Sequence, residues 1–148
     1  MVLLMLLEIN GMKFPLDRKY YIKDGAHIWL KPEGNLVKIG MDAFVAEMTR
    51  PLTTLIVTKK HVESGEAIGS FESSKFIGRF YSPISGEIVA VNDRVLSNPQ
   101  IINDNPYNSW IVMIKPDNNQ ERGKYIIEGK DKISKWIYEE IKRVEGGK

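Results

Sequence analysis

Short apolar runs separated by Gly, Pro, Asn and Asp occupy most of the chain, and this pattern is typical of antiparallel β-strands joined by tight turns. Residues 27–30 and 36–39 flank a turn at residues 32–35 and predict a hairpin. Further strands are predicted over residues 52–57 and 110–114, which are rich in β-branched and other apolar side chains. The chain is therefore expected to be mainly β.

Two segments show a helical period instead. Residues 41–50 place apolar side chains at i, i+3, i+4 and i+7, which predicts a short helix that Pro51 should end. Residues 131–144 carry a second apolar stripe, which predicts a C-terminal helix capped by Asp131 and followed by glycine. Both stripes are expected to pack in the core. The residues of the two stripes are Met41, Phe44, Val45 and Met48, and Ile133, Trp136, Ile137, Ile141 and Val144.

A short polar turn that carries Lys75 lies between two segments of strand composition, residues 67–71 and 80–91. Lys75 is thus expected to project from a hairpin. A protonated amine is a poor nucleophile, and no residue type in this turn is suited to deprotonating it. The pattern fits either an attachment point that another enzyme modifies or a solvated lysine at the tip of a hairpin.

The tripeptide Ser-Gly-Glu occurs on both sides of this turn, at residues 64–66 and 85–87, each time before a strand. The repetition indicates two quasi-symmetric halves, which would place the Lys75 turn at one extreme of the domain. Pro83 and Gly86 are expected to shape the returning strand, proline by fixing its own torsion and glycine by adopting torsions closed to other residues.

Length and charge narrow the class of protein. A chain of 148 residues is expected to form one domain, here residues 15–148 after an N-terminal extension over residues 1–14. The net charge of +2, with no basic stripe, argues against a nucleic-acid partner. The absence of cysteine excludes thiol catalysis, disulfides and cysteine zinc sites.

The remaining candidate chemistry is sparse. His27 and His61 lie far apart without a third ligand at metal-site spacing, so each is interpreted as structural or solvated and no metal is expected. The apolar run over residues 1–7 is shorter than the about 20 residues that span a bilayer and lacks the features of a secretory signal. We interpret it as an edge strand or an extension, and expect a cytoplasmic protein without a membrane partner.

The turn sequence Glu72, Ser73, Ser74, Lys75 and Phe76 resembles the attachment motif Glu-Ser-Val-Lys-Ala of the glycine cleavage system H-protein family, with identity at three positions that include the lysine. The resemblance continues on both sides in order and spacing over roughly residues 15–145, which makes it far more specific than a lone motif. The matching positions are His27, Trp29 and residues 37–40 upstream, and residues 81–88, 91–92, 98–99, 102–103, 106–107, Trp110 and 114–116 downstream.

This resemblance implies a barrel-sandwich-hybrid fold, as in lipoyl and biotinyl carriers, and a carrier protein that has no catalytic residue of its own. Lys75 would carry lipoate through an amide, and Glu72, Ser73, Ser74 and Phe76 would form the attachment turn. The lipoyl arm would shuttle an aminomethyl group and reducing equivalents among a pyridoxal-phosphate glycine decarboxylase, a folate-dependent aminomethyltransferase and dihydrolipoamide dehydrogenase. A lipoate ligase or lipoyl transferase would load it.

Three features depart from the family pattern. Residues 49–52 read Thr-Arg-Pro-Leu where the family usually has Leu-Gly-Asp-Ile, the connection between Leu55 and Gly65 is shorter, and Phe76 replaces a small residue. Two alternatives therefore stay open. One is an H-like carrier for another complex, such as heterodisulfide-reductase-like sulfur oxidation, and the other is an unmodified interaction module of the same fold.

Overall fold

The computed structural model describes residues 5–118 and 123–146, and every strand pairing in these two ranges is antiparallel. The strands are β1 (Leu6–Ile9), β2 (Met12–Pro15), β3 (Lys19–Tyr21), β4 (Ile28–Glu33), β5 (Leu36–Met41), β6 (Leu52–Val57), β7 (His61–Val62), β8 (Ala67–Ser73), β9 (Ile77–Tyr81), β10 (Gly86–Val91), β11 (Val112–Pro116) and β12 (Ile126–Ile127). The helices are α1 (Ala43–Met48), α2 (Asp93–Ser97), α3 (Gln100–Asp104) and α4 (Lys130–Gly146), with one 3-10 turn over Lys23–Gly25.

The strands form three sheets. Seven strands make one curved sheet in the order β12-β3-β4-β5-β11-β10-β7, and three make a second sheet in the order β6-β8-β9. The pair β1-β2 forms a separate hairpin. This arrangement confirms the mainly β, barrel-sandwich-hybrid prediction with one short helix and one C-terminal helix. No helix among the described residues is long and apolar enough to cross a membrane.

The larger core lies between the two main sheets, where alternate side chains of each strand point inward. In β5, for example, Val37 and Ile39 are buried while Lys38 between them is half-buried and pairs with Glu33 on the surface. A second core lies under α4, where Ile133 and Ile137 pack with aromatic and apolar side chains from β1, β2, β3, β4 and α1. The C-terminal helix is therefore an integral layer of the fold.

The boundaries of both predicted helices need correction. The first helix begins after Asp42, whose Oδ1 accepts a hydrogen bond from the Val45 N–H at 3.0 Å, so Met41 belongs to β5. Helix α4 begins at Lys130, so Asp131 lies inside its first turn, where a carboxylate is favoured by the helix dipole, and does not cap it. The sequence predicted both helices because their apolar periods are strong.

Helices α2 and α3 were not predicted from the sequence. Each has only five residues, too few to show a helical period, and Asn-Pro pairs at residues 98–99 and 105–106 gave turn signals instead. The buried amide of Asn103 in α3 donates to the Ala46 carbonyl and accepts from the Leu52 N–H. Helix α3 thus joins α1 to the sheet that contains β6.

A buried histidine ties the C-terminal helix to the rest of the fold. His27 donates from Nδ1 to Asp42 at 2.8 Å and from Nε2 to Glu140 at 2.7 Å. Its ring stacks between Phe44 and Trp136, with ring centroids 4.4 and 4.5 Å away. The structural interpretation of His27 is confirmed.

Electrostatics keep this histidine charged. Burial disfavours the imidazolium, but the attraction and hydrogen bonds of Asp42 and Glu140 outweigh it and raise the pKa of His27 to about 9. The hydrogen bond from His27 lowers the pKa of Glu140 to about 2, against the effect of burial, and Arg143 adds to this lowering. His27, Asp42 and Glu140 are called the histidine cluster below.

We expect the contribution of the histidine cluster to stability to be largest between about pH 4.5 and 6.5. His27 has a raised pKa, so its contribution is complete below its ordinary value of 6.5 and is lost as pH rises through 9. Glu140 has a lowered pKa, so its contribution is complete above 4.5 and is lost as pH falls toward 2. Chemical unfolding at constant ionic strength across this pH range measures both slopes.

A matched pair of variants isolates the cluster. Glu140→Ala removes a partner of a buried cation, so we expect the free energy of unfolding at pH 6 to fall by about 3 kcal/mol. Glu139→Ala removes the same charge from an exposed position on the same helix and should change it by less than about 0.5 kcal/mol. Equal effects of the two substitutions would contradict the assigned role.

Candidate functional site

Lys75 lies at the tip of the hairpin formed by β8 and β9, as the sequence predicted. The last residues paired between these two strands are Glu72 and Ile77, so residues 73–76 form the loop and Lys75 is exposed. In the part of the chain that the structure describes, the Lys75 ammonium has no hydrogen bond or ion pair, and its charge is not paired with Glu72. The side chain is therefore free to be approached from solvent.

The backbone of this loop, in contrast, is held by Ser73. The Ser73 N–H donates to the Phe76 carbonyl at 2.8 Å, and the Ser73 hydroxyl oxygen accepts from the N–H groups of Phe76 at 3.0 Å and Lys75 at 3.3 Å. Serine side chains commonly replace a backbone carbonyl in this way within tight turns. The turn thus fixes where Lys75 leaves the backbone while leaving its side chain unrestrained.

Strand β8, which leads into the turn, is held closely by its neighbour β6. The Thr53 hydroxyl of β6 donates to the Glu72 carbonyl at 3.1 Å, next to an irregular step in the β6-β8 pairing. Farther from the tip, a Cβ at Gly69 would lie 1.8 Å from the Ile56 carbonyl oxygen, so only glycine allows the strands to approach so closely there. Phe71, between these two points, packs against the main core.

The two Ser-Gly-Glu turns meet at the base of the hairpin. The Ser64 N–H donates to the Ser85 hydroxyl at 2.8 Å, and the Ser85 hydroxyl donates to Glu63 at 3.0 Å. The Gly65 N–H donates to the Ser82 carbonyl at 2.7 Å. The repeated tripeptides are thus in direct contact, at the end of the hairpin opposite Lys75.

The role expected for Gly86 needs correction. Gly86 does not have a positive φ, unlike Gly65 in the partner turn, so it is not required for its torsions. A Cβ at Gly86 would instead lie 2.3 Å from the Lys115 carbonyl oxygen of the neighbouring strand. The requirement is close packing of two backbones, which the sequence alone does not distinguish from a turn torsion. Pro83 is buried, and its carbonyl accepts from the Ser64 hydroxyl.

A cleft of about 150 Å³ opens beside β9, between the hairpin and the start of β4. Phe71 and Ile28 contribute apolar walls, and Asp24 and Arg79 are exposed charged groups of its lining. His27 also borders the cleft, but both of its ring nitrogens are already hydrogen-bonded. The hairpin that carries Lys75 therefore forms one wall of a mostly apolar recess.

The structure also brings His61, Glu63 and Asp117 together, a group that sequence spacing could not reveal because Asp117 follows a different strand. His61 Nε2 lies 3.0 Å from an Asp117 oxygen, its Nδ1 lies 3.9 Å from Glu63, and all three side chains are exposed. An exposed ion pair of this kind contributes little to stability. We assign it no functional role.

Comparison with known proteins defines the class. The family model described as glycine cleavage H-protein matches residues 18–140. A probable glycine cleavage system H protein 3 of Sulfurisphaera tokodaii is 36% identical over 118 residues, which cover 78% of this chain and 85% of that protein. Glycine cleavage system H protein 5 of Aquifex aeolicus is 36% identical over 126 residues, with 82% and 85% covered.

The fold agrees with a solved structure. The crystal structure of a glycine cleavage system H protein from Mycobacterium marinum superimposes with a TM-score of 0.70 at 24% identity and covers 82% of this chain and 98% of that one. The architecture is therefore that of a lipoyl-carrier-like domain. The chain belongs to the glycine cleavage H-protein family, as the resemblance of its sequence implied.

Ser73→Ala should loosen the turn. The substitution removes the acceptor for two N–H groups, and each net hydrogen bond of this kind contributes about 1 kcal/mol. We expect the amides of Lys75 and Phe76 to exchange with solvent severalfold faster in hydrogen-exchange NMR. Ser74→Ala is the matched control, because the Ser74 hydroxyl has no hydrogen bond within the described chain. Equal exchange in the two variants would show that Ser73 does not hold the turn.

Proposed function

We propose that this chain is a lipoyl carrier of the glycine cleavage system and that Lys75 is its attachment site. The observation that carries the proposal is the combination of an exposed, unpaired Lys75 amine with a backbone turn held by Ser73. Membership of the H-protein family supports it. A primary amine presented in this way fits the formation of an amide with a carboxylic acid such as lipoate.

The residues of the chain present the arm and do not transform it. When attached, lipoate supplies a ring disulfide that opens readily, because the five-membered ring forces the torsion well below the about 90° of a relaxed disulfide. An arm attached to Lys75 at the tip of the hairpin would have a raised local concentration at partner active sites. The apolar cleft beside β9 offers a recess from water.

The proposed partners follow from this role. They are the enzyme that attaches lipoate, the pyridoxal-phosphate glycine decarboxylase, the folate-dependent aminomethyltransferase and dihydrolipoamide dehydrogenase. We infer that the chain itself catalyses none of the steps. The relatives described above bear glycine cleavage names and give no support to a role in sulfur oxidation. The cytoplasmic location and the division at residue 15 remain predictions.

Lys75→Arg should abolish lipoylation. Arginine keeps the positive charge but offers no amine that forms this amide, so co-expression with a lipoate ligase should add one lipoyl mass to the native chain and none to the variant. Intact mass spectrometry measures the difference. A lipoyl mass on the variant would refute Lys75 as the attachment site, and an unmodified native chain would favour the interaction module.

The exchange Ser74→Lys with Lys75→Ser should slow lipoylation at least tenfold. A modifying enzyme must read where the fold presents the lysine, because a flexible peptide carries little shape information and costs ordering entropy on binding. The exchange preserves composition and the hydrogen bonds of Ser73, but it moves the amine to a different position in the turn. Strand alternation ends at Ser73, so the turn geometry sets the new direction.

A time course of intact mass follows both proteins. Glu72→Gln, which changes an exposed charge without moving the lysine, is the comparison variant and should have a milder effect. If the native and shifted lysines are modified at the same rate, presentation by the turn is not what the enzyme selects.

A further inference from the structure

Ile77, two residues after Lys75, is the most exposed large apolar side chain among the described residues, with 81% of its surface accessible. It is the first residue of β9 and pairs with Glu72 of β8, which in turn pairs with Thr54 of β6. In this row of paired residues across the three strands, Thr54 and Glu72 are polar and Ile77 is the apolar member. It does not line the cleft beside β9, so nothing bound in that cleft would cover it.

Phe76, between Lys75 and Ile77, is 41% exposed. Its backbone is held on both sides, since its N–H donates to the Ser73 hydroxyl and its carbonyl accepts from the Ser73 N–H. Ile77 is held by strand pairing and is β-branched, so it has few side-chain conformations to lose. Phe76 and Ile77 are thus two exposed apolar side chains on ordered backbone next to the candidate attachment site.

We propose that this apolar pair, Phe76 and Ile77, is the docking anchor for the enzyme that attaches lipoate to Lys75. The proposal rests on the proposed function. The backbones of Lys75 and Ile77 are at most about 7 Å apart, so an enzyme that binds the turn around Lys75 reaches the exposed surface to which Ile77 belongs. Even a standard interface takes in about 20 residues on each partner, and buried apolar side chains within a polar rim contribute most to such binding.

The test compares rates of lipoate attachment by a purified lipoate ligase, with ATP and lipoate saturating and the acceptor protein varied. Ile77→Thr keeps the β-branched shape and removes apolar surface. We expect kcat/KM for the acceptor to fall about tenfold, with most of the change in KM, because the substitution alters docking and leaves the amine in place. Ile77→Leu, which keeps the apolar surface, should restore the rate to within threefold of native.

Two control variants use comparable exposed side chains away from the tip. Ile56 is 48% exposed on β6 and Val89 is 44% exposed on β10. Ile56→Thr and Val89→Thr should keep kcat/KM within twofold of native. The unfolding midpoints of all variants should match that of the native protein. If the midpoint of Ile77→Thr is lower, the test uses Phe76→Ala instead, for which we expect kcat/KM to fall at least threefold.

The outcomes separate this inference from the proposed function. If the native protein gains no lipoyl mass, both the proposed function and the docking anchor are contradicted. If the native protein and Ile77→Thr are lipoylated at the same rate, only the docking anchor is contradicted. Normal modification of Ile77→Thr, followed by slow reduction of its attached arm by dihydrolipoamide dehydrogenase with NADH as the electron donor, would also overturn it, because the pair would then serve an enzyme that receives the arm.

Discussion

The buried imidazolium of His27 is the point at which three parts of the fold meet. Asp42, which also caps the first helix, holds one ring nitrogen, and Glu140 of the C-terminal helix holds the other. A buried cation is stable only when its charge is matched, and here two carboxylates match it. The same ring borders the cleft whose other wall is the hairpin that bears Lys75. Packing of the terminal helix and the shape of the recess therefore depend on one residue.

The hairpin tip is stabilised in the opposite way, by contacts close in sequence. Within the described parts of the chain, Ser73 makes the hydrogen bonds that close the loop, and Thr53 anchors the strand just behind it. Such local bonds order the backbone at small entropic cost and leave neighbouring side chains exposed. The carrier role that we propose for Lys75 requires this division between a fixed backbone and a free side chain.

The sequence predicted the longer strands of the two main sheets, their main hairpin turns and the position of Lys75, because alternation and turn residues act over a few positions. It did not predict the short strands β2, β3, β7 and β12. It missed α2 and α3, which are too short for a periodic signal. The partners of His27 lie 15 and 113 residues away, so no local pattern could identify them. The reason for Gly86 was also misjudged, because the approach of Lys115 comes from a strand brought in by tertiary structure. Features that depend on neighbouring residues could be predicted from the sequence, whereas contacts between residues far apart in the chain could not.

The contact between the two Ser-Gly-Glu turns makes the segment from Ser64 to Ser85 begin and end at the same place. Most of the conformational entropy lost in closing this loop is therefore lost where its two ends meet. Small changes in length near the tip add little to this loss, because the entropic cost of closure grows only with the logarithm of loop length. The hairpin is in this sense a modular unit. A β scaffold that received it with its closing turns would also have to supply a strand in the place of β6, which pairs with β8 and holds Glu72 through Thr53.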